Sequence, residues 1–557
     1  MKPKKQKQPL TSSDKPVAVR NSEPVSSPLP PHGMLALRAC WKGLVATCLF
    51  FVVVAVATLP RFPYPGDNFV PRLESIYLAK HGELGIPYKD RARITGLDAP
   101  KGQYFFSNDK KQKFYSKYGI FYTIAFLPPV LAEMRVNPAF DINNQPESFY
   151  FKLGLYQILL GVFTVFYLFR LACYFSSSQW LCAGFTVATI YSTFLWHYMR
   201  IPALEIYQLL AFSGACFHAF VFMRRRSEGD NTIQCWMHLL ASTAWSGSLV
   251  LMKSSFVVLG FAFSVLPFFI DSSKHTILLR PVMSFLHHWK YYLLMLVIPW
   301  AIVFAVLLVS NAVRFESALD SGYMQWLAGD GTPQTKFGLT FFWGHTKGFL
   351  LNIKNNEFNM FHAYPYALVG VFSLIPFFRY RRLDAIMILA ATLPGIYLLL
   401  VYNMADGQWC YGPRYFIFYA MLLAFPFLWT FDWLLTKTHK MLKPVLLMGC
   451  LIPVLYWATG QFYVNSVHYF VTYQMGGVLT STKHPGIERY RKESTRVSFC
   501  RDLFRYGMGW DKYYPLEALR PHIRPEQKQA FLEYKAMIDH FAQSNFYFYS
   551  PNKTPNK

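Results

Sequence analysis

The ten-residue apolar stretch YGIFYTIAFL, running from Tyr118 up to the pair Pro128-Pro129, decides how this chain can be threaded. A helix rises about 1.5 Å per residue, so ten residues cover ~15 Å, half of a ~30 Å bilayer core. Two consecutive prolines then remove donors and clash with the preceding turn where the helix would have to continue. The stretch is therefore predicted to lie along a membrane surface. Short cytoplasmic loops carry excess Lys and Arg. With 118–134 at the surface, every later basic cluster falls on the side of the basic N-terminal tail: Arg224 to Arg226; Lys274, Arg280 and Lys290; Arg379, Arg381 and Arg382; and Lys437, Lys440 and Lys443.

That the chain belongs in a bilayer follows from its make-up. Of 557 residues, 53% are hydrophobic, 18% aromatic and only 15% charged, too apolar for an ordinary soluble multidomain protein. The net charge of +25 would suggest nucleic acid in a soluble protein, but here much of it sits in loops between apolar runs. Membrane orientation and anionic lipids explain it, and no nucleic-acid partner is expected. Seven of the nine cysteines stand in or beside predicted spans without CxxC or Cys/His ligand spacing, so no structural zinc site is expected. Cys410 and Cys500 fall on one predicted face, where pairing or two free thiols are both open.

Residues 1–40, rich in Lys, Pro and Ser, read as a disordered cytoplasmic tail. Residues 41–462 form the transmembrane domain, with spans near 41–59, 148–175, 180–198, 203–223, 235–252, 256–270, 290–310, 362–378, 383–402, 414–436 and 444–462. The fold class is thus all-α polytopic membrane protein with about eleven transmembrane helices and a first outer loop, 60–147, of interfacial helices. An odd count puts 463–557 on the outer face, where Pro525 to Gln543 has helical apolar spacing.

Five segments carry candidate chemistry. In PGDNFVPRLESIYLAKHGEL, Phe69, Val70, Leu73, Ile76 and Tyr77 mark one face of a helix, with Asp67 at its N-terminal end; Asp67 is either the helix cap or a functional carboxylate. The interfacial stretch is KFYSKYGIFYTIAFLPPVLAEM. WHYMRIPALEIY offers Arg200 and Glu205, although Glu205 also suits a helix first turn. LVLMKSSFVV carries Lys253, the one charge between Cys235 and Ile270, which either serves a ligand or snorkels. DGQWCYGPRYFIFYAMLLAFP places Trp409, Tyr411 and Arg414 at the outer end of a span, as a site or as an interface anchor. Other first-loop cations, including Arg72, Lys80, Lys111, Lys113 and Lys117, read mainly as a solvated face.

Together these segments resemble the polytopic C-class (GT-C) glycosyltransferases, a family that includes lipid A aminoarabinose transferase and the protein O-mannosyltransferases. The resemblance covers roughly 41–436, departs from the family where Asn68 replaces the commoner Glu, and says little about 463–557. It implies a membrane glycosyltransferase of the bacterial inner membrane, N-terminus cytoplasmic and C-terminus periplasmic. Its donor would be a sugar on a polyprenyl phosphate, its acceptor a lipid, glycan or protein on the outer face. On this resemblance Asp67 and Glu205 are catalytic, with Asp67 the base. Lys253, Arg414 and Arg200 bind the donor phosphate, and Tyr118, Trp409 and Tyr411 contact substrate. No cofactor is required and a divalent metal is possible. The competing reading is a non-enzymatic carrier or flippase of lipid-linked glycans. Transporters usually place charged or broken helices near the midplane, whereas these candidates gather at one face.

Overall fold

The structure is a computed structural model that describes residues 33–59, 69–93, 105–108, 111–200, 203–270, 280–320, 364–401 and 414–466, with Pro525 and Leu532. Apolar segment after apolar segment forms helix, as the sequence predicts. Helix α1 spans Gly33–Ala57. The first loop contributes α2 (Phe69–His81), α3 (Ile120–Ala125) and α4 (Leu127–Met134). Next come α5 (Glu147–Phe175), α6 (Gln179–Tyr191), the short α7 (Leu195–Arg200), α8 (Glu205–Ser227), α9 (Ile233–Met252) and α10 (Val257–Ile270). A kinked α11 (Arg280–Tyr292) runs through a π-helical turn into α12 (Ile298–Phe315). The remainder are α13 (Pro365–Tyr380), α14 (Arg382–Val401), α15 (Ile417–Lys437) and α16 (Lys443–Ser466).

All eleven predicted spans are helical over most of their described parts; their length and composition do not by themselves confirm eleven crossings. Among the described residues, six helical stretches are long and apolar enough to cross a membrane: Ala39–Ala57, Glu147–Phe175, Glu205–Ser227, Val282–Phe315, Ile417–Lys437 and Lys440–Gln461. By that measure α6, α10 and α13 are short, at 13, 14 and 16 residues. The predicted C-terminal helix from Pro525 lies almost wholly outside the described residues.

The proline-stopped stretch does not cross. It makes two short helices, with Pro128 and Pro129 in the first turn of α4, where a missing N–H costs no hydrogen bond. At its start the Gly119 N–H donates to the Met252 carbonyl at the end of α9, 3.0 Å away. At its other end Glu133 accepts from Ser148 Oγ (2.9 Å) and Lys152 Nζ (2.5 Å) in the opening turns of α5. Both ends therefore sit at one end of the helix bundle.

The first loop departs from expectation in two ways. It holds a small antiparallel sheet, β1 (Ile86–Pro87), β2 (Phe105–Asn108) and β3 (Lys113–Ser116), in the order β1-β3-β2. The turn-forming Gly85, at φ +83°, leads into β1. And α2 does not rest one apolar face on lipid: from Val70 to Tyr77 it is buried in protein. Val70, Leu73, Ile76 and Tyr77 pack with Ile86, Phe114, Val130, Phe140 and Phe149 into a core of their own. The sheet roofs the helix, α4 and the start of α5 wall it, and water and lipid are excluded.

Candidate functional site at one end of the bundle

The run of the helices separates two ends. Helix α8 starts at Glu205 and finishes at Arg224 to Arg226, and α9 returns to Met252 beside Lys253. Helix α5 finishes at the far end, where Tyr174 meets Asp384 of α14, and α15 finishes there too, with Asp432 accepting from the Ser177 N–H. Arg224 to Arg226, Arg381 and Lys437 thus share the end opposite Glu205 and Lys253.

At the Glu205 end, the turn before α3 is bound on every side. Glu74 of α2 is buried and uses both oxygens: Oε1 accepts from the Ser116 N–H (2.7 Å) and Oε2 from Thr123 Oγ1 (2.9 Å). Burial raises the Glu74 carboxyl above its usual range, while the charge of Arg314 and these two hydrogen bonds pull it down. Arg314, near the end of α12, donates from Nη2 to the Ser116 carbonyl and, at 2.7 Å, to the Tyr118 carbonyl. Gly119 then lies so close to α9 that a Cβ would fall 1.8 Å from the Leu251 carbonyl oxygen. Tyr118 is buried and meets Tyr122 edge to face at 6.0 Å, and Tyr122 in turn is bonded by the Gln208 amide, one turn into α8 from Glu205.

The other predicted residues that the structure describes stand at the same end of the bundle. Arg200, at the end of α7, is buried and donates to the Thr58 carbonyl (3.3 Å), which ties it to the end of α1. Burial pushes its guanidinium down to about 9, still cationic at neutral pH. A cation held in so poorly polarisable a place gains most from an anion brought beside it. Glu205 is buried at the first position of α8, where a carboxylate complements the helix dipole. Lys253, extended between α9 and the next turn, sets its ammonium 4.3 Å from the Tyr415 ring centroid, a cation–π contact. Arg414 precedes Tyr415 and opens the 3-10 turn Arg414–Phe416.

Four sequence-predicted positions are thus drawn together through named neighbours. Tyr118 reaches Lys253 through Gly119 and Met252, Lys253 reaches the Arg414 turn through Tyr415, and Tyr118 reaches the first turn of α8 through Tyr122 and Gln208. Asp67, Trp409 and Tyr411 lie outside the described residues, as do Cys410 and Cys500. Among the described residues no three His, Cys, Asp or Glu side chains converge as metal ligands.

No family model matches the sequence, and no curated protein matches it. Among solved structures, the chain is similar to the crystal structure of ArnT from Cupriavidus metallidurans bound to undecaprenyl phosphate, at 12% identity over 84% of this chain and 75% of that one, with a TM-score of 0.41. The apo state of the same protein gives 13% identity, the same coverage and a TM-score of 0.35. At these scores the likeness is too small to carry an activity or a ligand across.

Sequence reasoning passed over Glu74 and Arg314 and misjudged Arg72. Arg72 is not on a solvated face: it is buried, with its guanidinium 5.6 Å from the Tyr150 ring centroid. One signal was available for Glu74, which stands four residues after Val70 and three before Tyr77, on the apolar stripe itself. Arg314 carries no such mark, because a cation at the end of an apolar helix is ordinary flanking charge. Two further first-loop cations make surface ion pairs, Lys80 with Asp141 at 3.7 Å and Lys113 with Glu83 at 2.7 Å, while Lys117 stands 5.4 Å from the Tyr118 ring centroid.

Proposed function

We propose that this protein is a membrane glycosyltransferase that moves a sugar from a polyprenyl-phosphate donor to a lipid, glycan or protein acceptor on the outer face. The observation that carries the reading is the gathering of Tyr118, Arg200, Glu205 and Lys253 at one end of an apolar bundle, opposite the basic clusters. A donor of this kind has a hydrocarbon tail that stays in lipid and a phosphate that stays at the interface. A site at the bundle's end meets both needs.

In this reading the acceptor hydroxyl attacks the anomeric carbon as the carbon–oxygen bond to phosphate breaks, so the configuration inverts. Asp67 takes the hydroxyl proton late in the transition state, because a carboxylate with a pKa near ~4 is too weak to ionise an alcohol beforehand. Lys253, Arg414 and Arg200 stabilise the charge left on the phosphate, the arginines with forks that match its oxygens. Glu205 orients the acceptor, and Tyr118, Trp409 and Tyr411 contact substrate. The N-terminus is cytoplasmic and the C-terminus periplasmic.

The test is turnover of a panel of polyprenyl-phosphate sugars by purified protein, wild type against Asp67→Asn. Loss of a general base costs about 10²–10⁴-fold, and that is the expected drop. Unchanged turnover in the variant removes Asp67 as base. A wild type that uses no such donor removes the transferase reading in favour of the carrier.

A further inference from the structure

The turn from Ser116 to Gly119 is held in a way that its packing alone does not require. Glu74 stands among apolar neighbours on α2, and a buried carboxylate is costly unless it is paired and fully hydrogen-bonded. An apolar side chain would fill the same space at no such cost. What the carboxylate supplies is two fixed points: one oxygen holds the end of β3 at Ser116, the other holds the first turn of α3 at Thr123. Arg314 approaches the same segment and holds the carbonyls of Ser116 and Tyr118. Ser116 therefore has its backbone N–H on the Glu74 carboxylate and its C=O on the Arg314 guanidinium.

We propose that Glu74 and Arg314 are positioning residues, a buried acid–base clamp that fixes the Tyr118 turn against the α9–α10 tip carrying Lys253. The proposal rests on the reading of this end as the site. The consequence is geometric. With Gly119 bonded to the Met252 carbonyl and leaving no room for a Cβ, the turn has no slack, and Tyr118 and Lys253 keep one separation. Neither clamp residue touches substrate; both act through the backbone between them. Arg314 lies 198 residues beyond Ser116, so the clamp closes only once α2, β3, α9 and α12 are assembled. Misplacement of a reacting group by about 1 Å costs on the order of 10²-fold in rate, which sets the scale of the effect.

Glu74→Gln keeps the shape and the acceptor for Ser116 and removes the charge; Thr123→Val keeps the charge and removes one donor, and serves if the first variant fails to fold. Both are made in the full chain in lipid nanodiscs and read in two ways. Hydrogen exchange of the amides in 116–126 accelerates by about tenfold or more, with α8 and α9 unchanged, as the local opening free energy falls. Donor kcat/KM falls by about tenfold or more, with the acceptor KM changed less, because Tyr118 and Lys253 no longer hold the donor phosphate at one separation. Unchanged exchange in 116–126 in both variants overturns the clamp whatever the activity. Accelerated exchange with wild-type KM and kcat overturns the positioning role. If wild-type protein uses no polyprenyl-phosphate sugar, the transferase reading falls, and the exchange measurement still decides whether the clamp exists.

Discussion

The two ends of the bundle hold their charges differently. At the basic end three arginines find an acid close by in sequence: Arg224 with Glu228 at 2.9 Å, Arg225 with Asp230 at 3.5 Å, and Arg381 with Asp384 at 2.5 Å. At the other end the partners are remote. Glu74 reaches residues 42 and 49 positions away, Arg200 reaches back 142 and Arg314 reaches back 198. Near partners need only a helix and its cap, so these three ion pairs are set by local structure, although the Arg381–Asp384 pair is further tied to Tyr174, 207 and 210 positions away. Remote partners need the finished fold, so the end holding the candidate site forms only after the helices and first loop have assembled. Charge at the first end should govern stability, and charge at the second should govern turnover.

The strongest way to break this contrast is Arg381→Ala. Arg381 and Asp384 are both buried, with Tyr174 donating to the same carboxylate. Removing the cation leaves a buried acid without its counter-ion and is expected to cost about 3–5 kcal/mol, read as a fall in melting temperature in detergent. The kcat/KM of the protein that remains folded should hold; a loss there of more than tenfold would erase the distinction between the ends.

Gly119→Ala tests the site end. With the Leu251 carbonyl 1.8 Å from the new Cβ, the backbones must part, at a cost of about 3 kcal/mol. Turnover should fall further than the same loss of stability produces at the basic end.

A smaller effect is expected at the first-loop wall, where Glu133 joins α4 to α5. Burial alone would raise its pKa, but the hydrogen bonds from Lys152 and Ser148 outweigh it and hold the carboxyl below its usual range. A depressed carboxylate stabilises the fold above its unfolded pKa, and the contribution is lost as pH falls through the folded value. Melting temperature should therefore decline below about pH 4.5 in wild type, and less so in Glu133→Gln, which costs about 1.5 kcal/mol at neutral pH. Parallel pH curves for the two proteins would show that the link is not electrostatic.

Much of the architecture was legible. Apolar runs gave helices because in lipid every backbone group must be satisfied within the segment, and Pro128-Pro129 stopped a stretch already too short to cross. The basic clusters marked one end, because each lies at the edge of a run. The segments holding Arg200, Glu205, Lys253 and Arg414 could be picked out, since a charge beside an apolar run is conspicuous.

What the sequence by itself determined was a helical membrane chain, the break of 118–134 into short helices, and the placement of Tyr118, Arg200, Glu205 and Lys253 at one end of the bundle. The tertiary structure alone decided that α2 is enclosed in protein, that Arg72 is buried and that Glu74 and Arg314 meet at the backbone of Ser116. The reason is physical. Helix and turn signals act over a few residues, whereas a buried acid and a buried base separated by 240 positions become partners only when packing has removed the water between them.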